Sequence, residues 1–383
     1  MYQNLRNLLG LLLMSASLVL GYDIFNDVYY PGKKGTLLEE EDFSHLPKIF
    51  KRYRRIERRT KFTGHHNASS FYTSHESGKE QFNDVLSHLS WETTSVRTGR
   101  RVATYVNVAS NRIGNTPYNQ KIIYYRKLTE TKRRKRTRRN IYGQDDRAYI
   151  PINKHFGLKE PYSYTVKLSV GCTGIIISPR HVLTAAHCIH SQKDYLADTK
   201  KLKAGFLQTD NKIEWISIKS MKVSKGWTNG KVENGPFYDY ALLKLVRKHG
   251  RPYIRLGISE SEHHGAGERI SFTGFDEDKP ANTMWYRSCS VMEDDPSFLY
   301  HYCDAKPGSS GSGVYSWVYD ESEKEWKRAL VGVFSGNRWR KYDEFYVIQR
   351  NFNVAVRLTS NRYAQICKWL GKTADQVCHA QNK

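Results

Sequence analysis

No cysteine precedes Cys172 in this chain of 383 residues, and six lie from there onward. The leading part therefore cannot be a disulfide-stapled scaffold of its own. Long apolar runs are equally scarce. Apart from Leu8 to Leu20, no stretch approaches the roughly 20 apolar residues that a transmembrane helix needs. No internal repeat stands out, so nothing points to a solenoid or a propeller. Acidic residues are thin at the start. Residues 1–139 hold 26 Lys and Arg against 12 Asp and Glu, an excess of +14, whereas residues 140–383 hold 35 against 26, an excess of +9. The total of +23 is thus concentrated in the first third, and it makes a poor argument for a nucleic-acid partner; none is expected.

What is present begins with a secretory pattern. Arg6 supplies a positive charge, Leu8 to Leu20 an apolar run, and Val19 and Gly21 small residues spaced for cleavage after Gly21. The run is short for a membrane span, which favours a signal peptide (residues 1–21) over an anchor. A secreted, extracellular protein with no membrane attachment after signal removal follows. An even number of cysteines behind a signal argues for disulfides, with fifteen connectivities open to six of them. Sequence neighbours suggest Cys172–Cys188, Cys289–Cys303 and Cys367–Cys378. Each loop is short, and each bridge would add about 3 kcal/mol in the chain-entropy picture.

Residues 22–139 form a basic segment expected to be separate and partly folded. Asn67-Ala68-Ser69 is a glycosylation acceptor, made more credible by the signal. Phe82, Val85, Leu86 and Leu89 recur at helical spacing. The segment ends at Lys132-Arg133-Arg134-Lys135-Arg136-Thr137-Arg138-Arg139, where like charges repel and keep the chain solvated. Two Arg-x-(Lys/Arg)-Arg patterns end at Arg136 and Arg139, so a processing protease is the expected partner there. A glycosaminoglycan site over residues 132–139 is the alternative. The run from Lys51 to Arg59, interrupted by Tyr53, Ile56 and Glu57, is a poorer cleavage candidate.

From residue 150 the texture is β. Tyr164 to Leu168 and Trp215 to Lys219 alternate or nearly so, and Gly174 to Ile177 and Leu330 to Phe334 are short apolar runs suited to strands buried on both faces. Many short strands with polar turns suggest an all-β barrel or sandwich. The end differs. Tyr363, Ile366, Cys367 and Leu370 share a helical face, Ser360 can cap its start, and Gly371 marks its stop.

Three stretches carry chemistry. Gly308-Ser309-Ser310-Gly311-Ser312-Gly313 can aim backbone N–H groups at one point beside a serine hydroxyl, the construction of a nucleophile with an oxyanion hole. Thr184-Ala185-Ala186-His187-Cys188 places a histidine after an apolar strand. Zinc on Cys172, His187 and Cys188 is disfavoured, because secreted cysteines pair with each other and adjacent His-Cys is poor tetrahedral spacing. No metal and no cofactor are expected. In Asp239-Tyr240-Ala241-Leu242-Leu243 a carboxylate sits at the mouth of an apolar strand, where it needs a partner. Together His187, Asp239 and Ser310 give a base, an orienting carboxylate and a nucleophile, in the chain order His, Asp, Ser.

These three motifs, in this order, resemble those of trypsin-like serine proteases, and the resemblance covers residues 140–383. It implies two six-stranded antiparallel β-barrels, over residues 150–247 and 248–383, with the site between them and a helix at the end. It implies a Cys172–Cys188 bridge beside the base, an oxyanion hole from the N–H groups of Gly308 and Ser310, and substrate-backbone pairing at Ser335. Asp304 matches the position that selects Lys or Arg before the cut. Departures accompany it. The family's Asp before the nucleophile, partner of the freed amino terminus, is Ser309 here. Ile141-Tyr142-Gly143 resembles the mature start, but cleavage after Arg139 would leave Asn140 ahead of it. Asn337 and Asn353 stand where pocket glycines belong, and Lys306 replaces a cysteine.

The expected protein is a secreted serine endopeptidase acting on protein or peptide substrates, made as a zymogen with a basic, glycosylated prosegment. The alternative is a catalytically weak or inactive homologue that works as a binding protein.

Overall fold

A computed structural model describes residues 88–106, 122–125, 141–152, 156–209, 211–228, 235–259, 265–293, 295–320, 324–341 and 349–378. The signal run, Asn67, most of the 82–90 helical pattern and the basic run with Arg136 and Arg139 lie outside these residues. Among the described residues no helix is long and apolar enough to cross a membrane.

Four strands come early: β1 (Trp91–Ser95), β2 (Arg100–Thr104), β3 (Ile122–Tyr125) and β4 (Ala148–Ile150). Six then build the first barrel: β5 (Thr165–Leu168), β6 (Cys172–Ser178), β7 (His181–Thr184), β8 (Lys203–Leu207), β9 (Ile213–Ser224) and β10 (Ala241–Leu245). They pair in the order β10-β7-β6-β5-β8-β9, and β10 closes onto β9. The short β11 (Arg255–Leu256) follows. The second barrel uses β12 (Arg269–Gly274), β13 (Met284–Glu293), β14 (Phe298–His301), β15 (Gly313–Asp320), β16 (Glu325–Lys341) and β17 (Gln349–Arg357). Its order is β16-β15-β12-β13-β14-β17, closed by β16 on β17. Two closed six-stranded antiparallel barrels result, with few helices, as in the chymotrypsin-like fold.

The local chemistry explains the strands. All seven residues of β6 are buried, so both of its faces meet core, and β-branched Ile175, Ile176 and Ile177 suit a pleated surface. β9 instead alternates over its first half, with Ile216 and Ile218 inward and Trp215, Ser217 and Lys219 outward. Helix α1 (Ser360–Leu370) buries Ile366, Cys367, Trp369 and Leu370 and ends at Gly371. Its N-cap is Thr359, with extended φ and ψ, and Ser360 is already the first helical residue. The disulfides are Cys172–Cys188, Cys289–Cys303 and Cys367–Cys378.

The barrels have added strands. β1, β2 and β3 continue the first sheet beyond β9, in register from Trp91 opposite Ser224 to Ser95 opposite Ser220. Residues 91–104, expected to belong to a separate segment, are therefore part of the sheet of the first barrel. The reason is long range. β9 is twelve residues long and offers its free side to a second partner along its C-terminal half. β4 pairs with β13 on the second barrel, and β11 lies parallel to β16.

Candidate active site

Strand pairing brings the first two site residues together. β10 runs antiparallel to β7 with Ala241 opposite Thr184, so Asp239, two residues before Ala241, meets the turn Ala186–Cys188 that follows Thr184. His187 lies in that turn, which Cys188 ties to the start of β6 through Cys172. Asp239 is buried with its side chain 4% exposed, while the His187 side chain keeps 29% of its surface open. One carboxylate oxygen of Asp239 accepts the His187 backbone N–H at 2.8 Å. The other faces His187 Nδ1 at 2.7 Å and accepts the Ser335 hydroxyl at 2.5 Å. Burial pushes the Asp239 carboxyl up. The His187 charge and hydrogen bonds and the Ser335 hydroxyl outweigh it, and the net direction is down. An ionised carboxylate in this position favours the imidazole tautomer with hydrogen on Nδ1, leaving Nε2 to accept.

Ser310 completes the line, its Oγ 2.7 Å from His187 Nε2. The loop that carries it is fixed by backbone contacts. Gly311 N–H donates to the Phe334 carbonyl, the Phe334 N–H to the Ser312 carbonyl, and the Thr173 N–H to the Ser310 carbonyl, each at 2.8 Å. The Thr173 hydroxyl donates to the Gly308 carbonyl at 2.9 Å and accepts the Phe275 N–H at 3.0 Å. Two glycines are obligatory here. Gly308 has φ of +103°, and a Cβ would fall 2.1 Å from the Phe275 carbonyl oxygen; Gly311 has φ of +83°, and a Cβ would fall 2.1 Å from the Thr184 hydroxyl. Among the described residues the N–H groups of Gly308 and Ser310 donate to no protein acceptor.

The other residues picked out by sequence fall differently. Asp304 is 1% exposed, and its carboxylate accepts the Tyr142 N–H at 2.7 Å and the Asp146 N–H at 3.0 Å. The expectation of a pocket carboxylate open to a substrate cation meets a group already held by the chain that follows the basic run. Two amides partner a carboxyl group whose burial without them would be costly, and the Asp146 carboxyl is raised by burial and by its contact with Asp304. Asn353 is fully buried and donates to the Cys303 carbonyl at 2.9 Å. Asn337 donates to the Asn351 side chain at 3.1 Å. The Ser309 hydroxyl turns to the Lys306 carbonyl at 2.6 Å. Cys172 and Cys188 lie beside His187 but are bonded to one another, so their sulfurs are not thiolate ligands.

Sequence reasoning missed Thr173, the Ser335–Asp239 hydrogen bond and the cluster around Arg147. The guanidinium of Arg147 contacts Asp145, Asp276 and Asp278, and the backbone N–H of Lys306 also reaches Asp276. The one signal available was Asp145-Asp146-Arg147 itself, a charge cluster immediately ahead of a strand.

The fold and the residues at the barrel junction define a class, and direct comparison agrees with it. The trypsin-like peptidase domain model matches residues 172–319. This chain belongs to the trypsin-like serine protease family. Within that family it is 39% identical over 311 residues to serine protease 23 of Mus musculus, covering 76% of this chain and 78% of that protein. It is 38% identical over 290 residues to inactive serine protease 35 of Homo sapiens, covering 61% of this chain and 69% of that protein. A solved Glu endopeptidase aligns with 20% identity and a TM-score of 0.46, over 60% of this chain and 99% of its own.

Proposed function

We propose that this chain is a secreted serine endopeptidase that cleaves peptide bonds through an acyl-enzyme. The carrying observation is the continuous line from Asp239 through His187 to Ser310, with both links at 2.7 Å. Ser310 Oγ attacks the scissile carbonyl carbon as its proton passes to His187 Nε2. Asp239 holds the imidazole and stabilises its charge without taking the proton. The carbonyl oxygen, now negative, lies against the N–H groups of Gly308 and Ser310. His187 returns the proton to the leaving amine, and water repeats the sequence to release the acid. Cleavage after Arg136 or Arg139, glycosylation at Asn67 and passage through the secretory route belong to the same proposal. So does a glycosaminoglycan as an alternative partner of residues 132–139.

A second reading has one observation in its favour. The Asp304 carboxylate is taken up by the protein's own chain, and Asn353 is bonded to the carbonyl of the preceding Cys303, which suits a protease-fold binding protein with little turnover. A fluorophosphonate probe separates the two. The secreted protein should be labelled covalently, and Ser310→Ala should abolish labelling and lower kcat on peptides by about 10⁴–10⁶-fold. An unlabelled wild-type protein would favour the binding protein instead.

A further inference from the structure

The loop that carries the nucleophile is held from an unexpected side. Residues 304–310 include the two N–H groups that the proposed reaction needs, and two of these residues are fixed by chain 141–150 or by a residue it grips. Asp304 accepts the Tyr142 and Asp146 amides. The Lys306 N–H donates to Asp276 Oδ1 at 3.1 Å, and the same oxygen lies 3.1 Å from Arg147 Nη1. The Pro307 carbonyl accepts the Glu277 N–H at 2.6 Å, one residue further along. Arg147 itself is enclosed, its side chain 1% exposed, and it forks onto Asp145 and Asp278 at 2.7–2.9 Å. Arg287 grips the other oxygen of Asp276. The Tyr142 ring rests on Tyr302 with centroids 4.7 Å apart, and β4 then pairs with β13. The position before the nucleophile offers no charge for a freed amino terminus, because the Ser309 hydroxyl is directed into the loop at the Lys306 carbonyl. None of these contacts uses a freed amino terminus.

We propose that Arg147 and Asp304 are positioning residues: by docking chain 141–150 on the second barrel they set the oxyanion loop, so cutting the basic run is not the step that makes the site competent. Arg147 acts through Asp276 on Lys306, and Asp304 acts by anchoring the peptide that carries Arg147. A planar guanidinium suits this task, since it can bond several carboxylates at once in fixed geometry. Asp304 thereby serves the loop and not the choice of substrate side chain. The inference rests on the serine-protease reading above.

The test compares labelling rates and peptide kinetics of secreted full chains. A chain with Arg136→Gln and Arg139→Gln, confirmed uncut, should react with a fluorophosphonate probe within about threefold of the cut wild type. Arg147→Gln should lower kcat by about 10²-fold, the size of losing an oxyanion donor, with KM unchanged. Arg147→Lys, which keeps a charge beside Asp276, should recover at least part of that loss. Asp304→Asn should lower kcat while leaving the preferred residue before the cut as it was. An uncut chain that labels only after cleavage overturns the proposal. So does an Asp304→Asn chain with wild-type kcat and an altered residue preference. Should Arg147→Gln fail to fold, Arg147→Lys and Asp304→Asn decide by the same rates: kcat lowered at constant KM supports the proposal, and wild-type kcat in both overturns it. If neither cut nor uncut wild type labels, the protease reading fails and this inference falls with it; labelled wild type with unaffected variants sinks this inference alone.

Discussion

Each barrel has recruited a piece of chain from one side of the basic run, and the two attachments differ in kind. The hairpin of β1 and β2 comes before the run and joins the first barrel by a regular ladder along β9. Buried ion pairs reinforce it. Arg101 meets Asp194, Glu92 lies 3.6 Å from Lys225 Nζ, and the Arg101 guanidinium sits 4.9 Å over the Tyr195 ring. Chain 141–150 comes after the run and joins the second barrel with a strand of only three residues, so side-chain carboxylates and Arg147 provide most of its hold. Each attachment also touches a different part of the site. The hairpin meets Asp194, in the loop that follows His187, and His88 ahead of it lies 5.1 Å from the ring of Tyr238, next to Asp239. The later segment meets the loop of Ser310. The comparison teaches that a ladder can secure an edge along its length, whereas a clamp can place one loop.

The sharpest break would come in the line of side chains that joins the two parts of the site. Asp239→Asn should reduce kcat by about 10⁴-fold, because the wrong imidazole tautomer is then favoured; wild-type turnover in that variant would move the orienting role away from the first barrel. A smaller effect should follow from Arg101→Met, which leaves the Asp194 carboxylate buried without its guanidinium. The expected loss is about 3 kcal/mol of unfolding free energy, read by urea denaturation. A change within experimental error would mean that the ladder alone holds the hairpin.

The mildest test is acid, which should loosen the two attachments in different windows. Burial lowers His190, which packs on Tyr195 beside the Arg101–Asp194 pair, from 6.5 to about 3, so it folds neutral. Stability from such groups is full above 6.5 and is lost as pH falls towards 3. Asp145 and Asp278 are lowered from 3.8 by their hydrogen bonds to Arg147, so the clamp is whole above 3.8 and weakens only below it. Hydrogen exchange followed from pH 7 downward should show protection falling first around the hairpin and later at residues 141–150. The reverse order would contradict this assignment of the two windows.

Much of this was legible because it is local. The three motifs, the apolar runs of β6 and β16 and the helix ending at Gly371 each carry their signal within a few residues. The three disulfides join cysteines separated by 16, 14 and 11 positions, so neighbour pairing was enough to name them. The attachments were not legible for the opposite reason. Arg101 and Asp194 are 93 residues apart, and Tyr142 and Asp304 are 162 apart. Neither pairing leaves a pattern in the sequence near either member. Asp304 could be read as a substrate ligand because a lone acidic residue in a loop does not say which donor it will meet. Ser335 lies in β16, and the direction of its hydroxyl, towards Asp239, depends on the closure of the barrels.

The anchor at Asp304 grips peptide N–H groups, and this makes it almost indifferent to spelling. Any residue except proline presents the same donor at positions 142 and 146. A saturation scan at Tyr142 should accordingly be quiet, apart from proline and the loss of the aromatic contact with Tyr302; Asp145, whose carboxylate bonds Arg147, stands outside this tolerance. The same scan at Asp304 should be loud. One end of the contact is then written in the backbone and the other in a single side chain, so only half of it can ever be found by comparing letters.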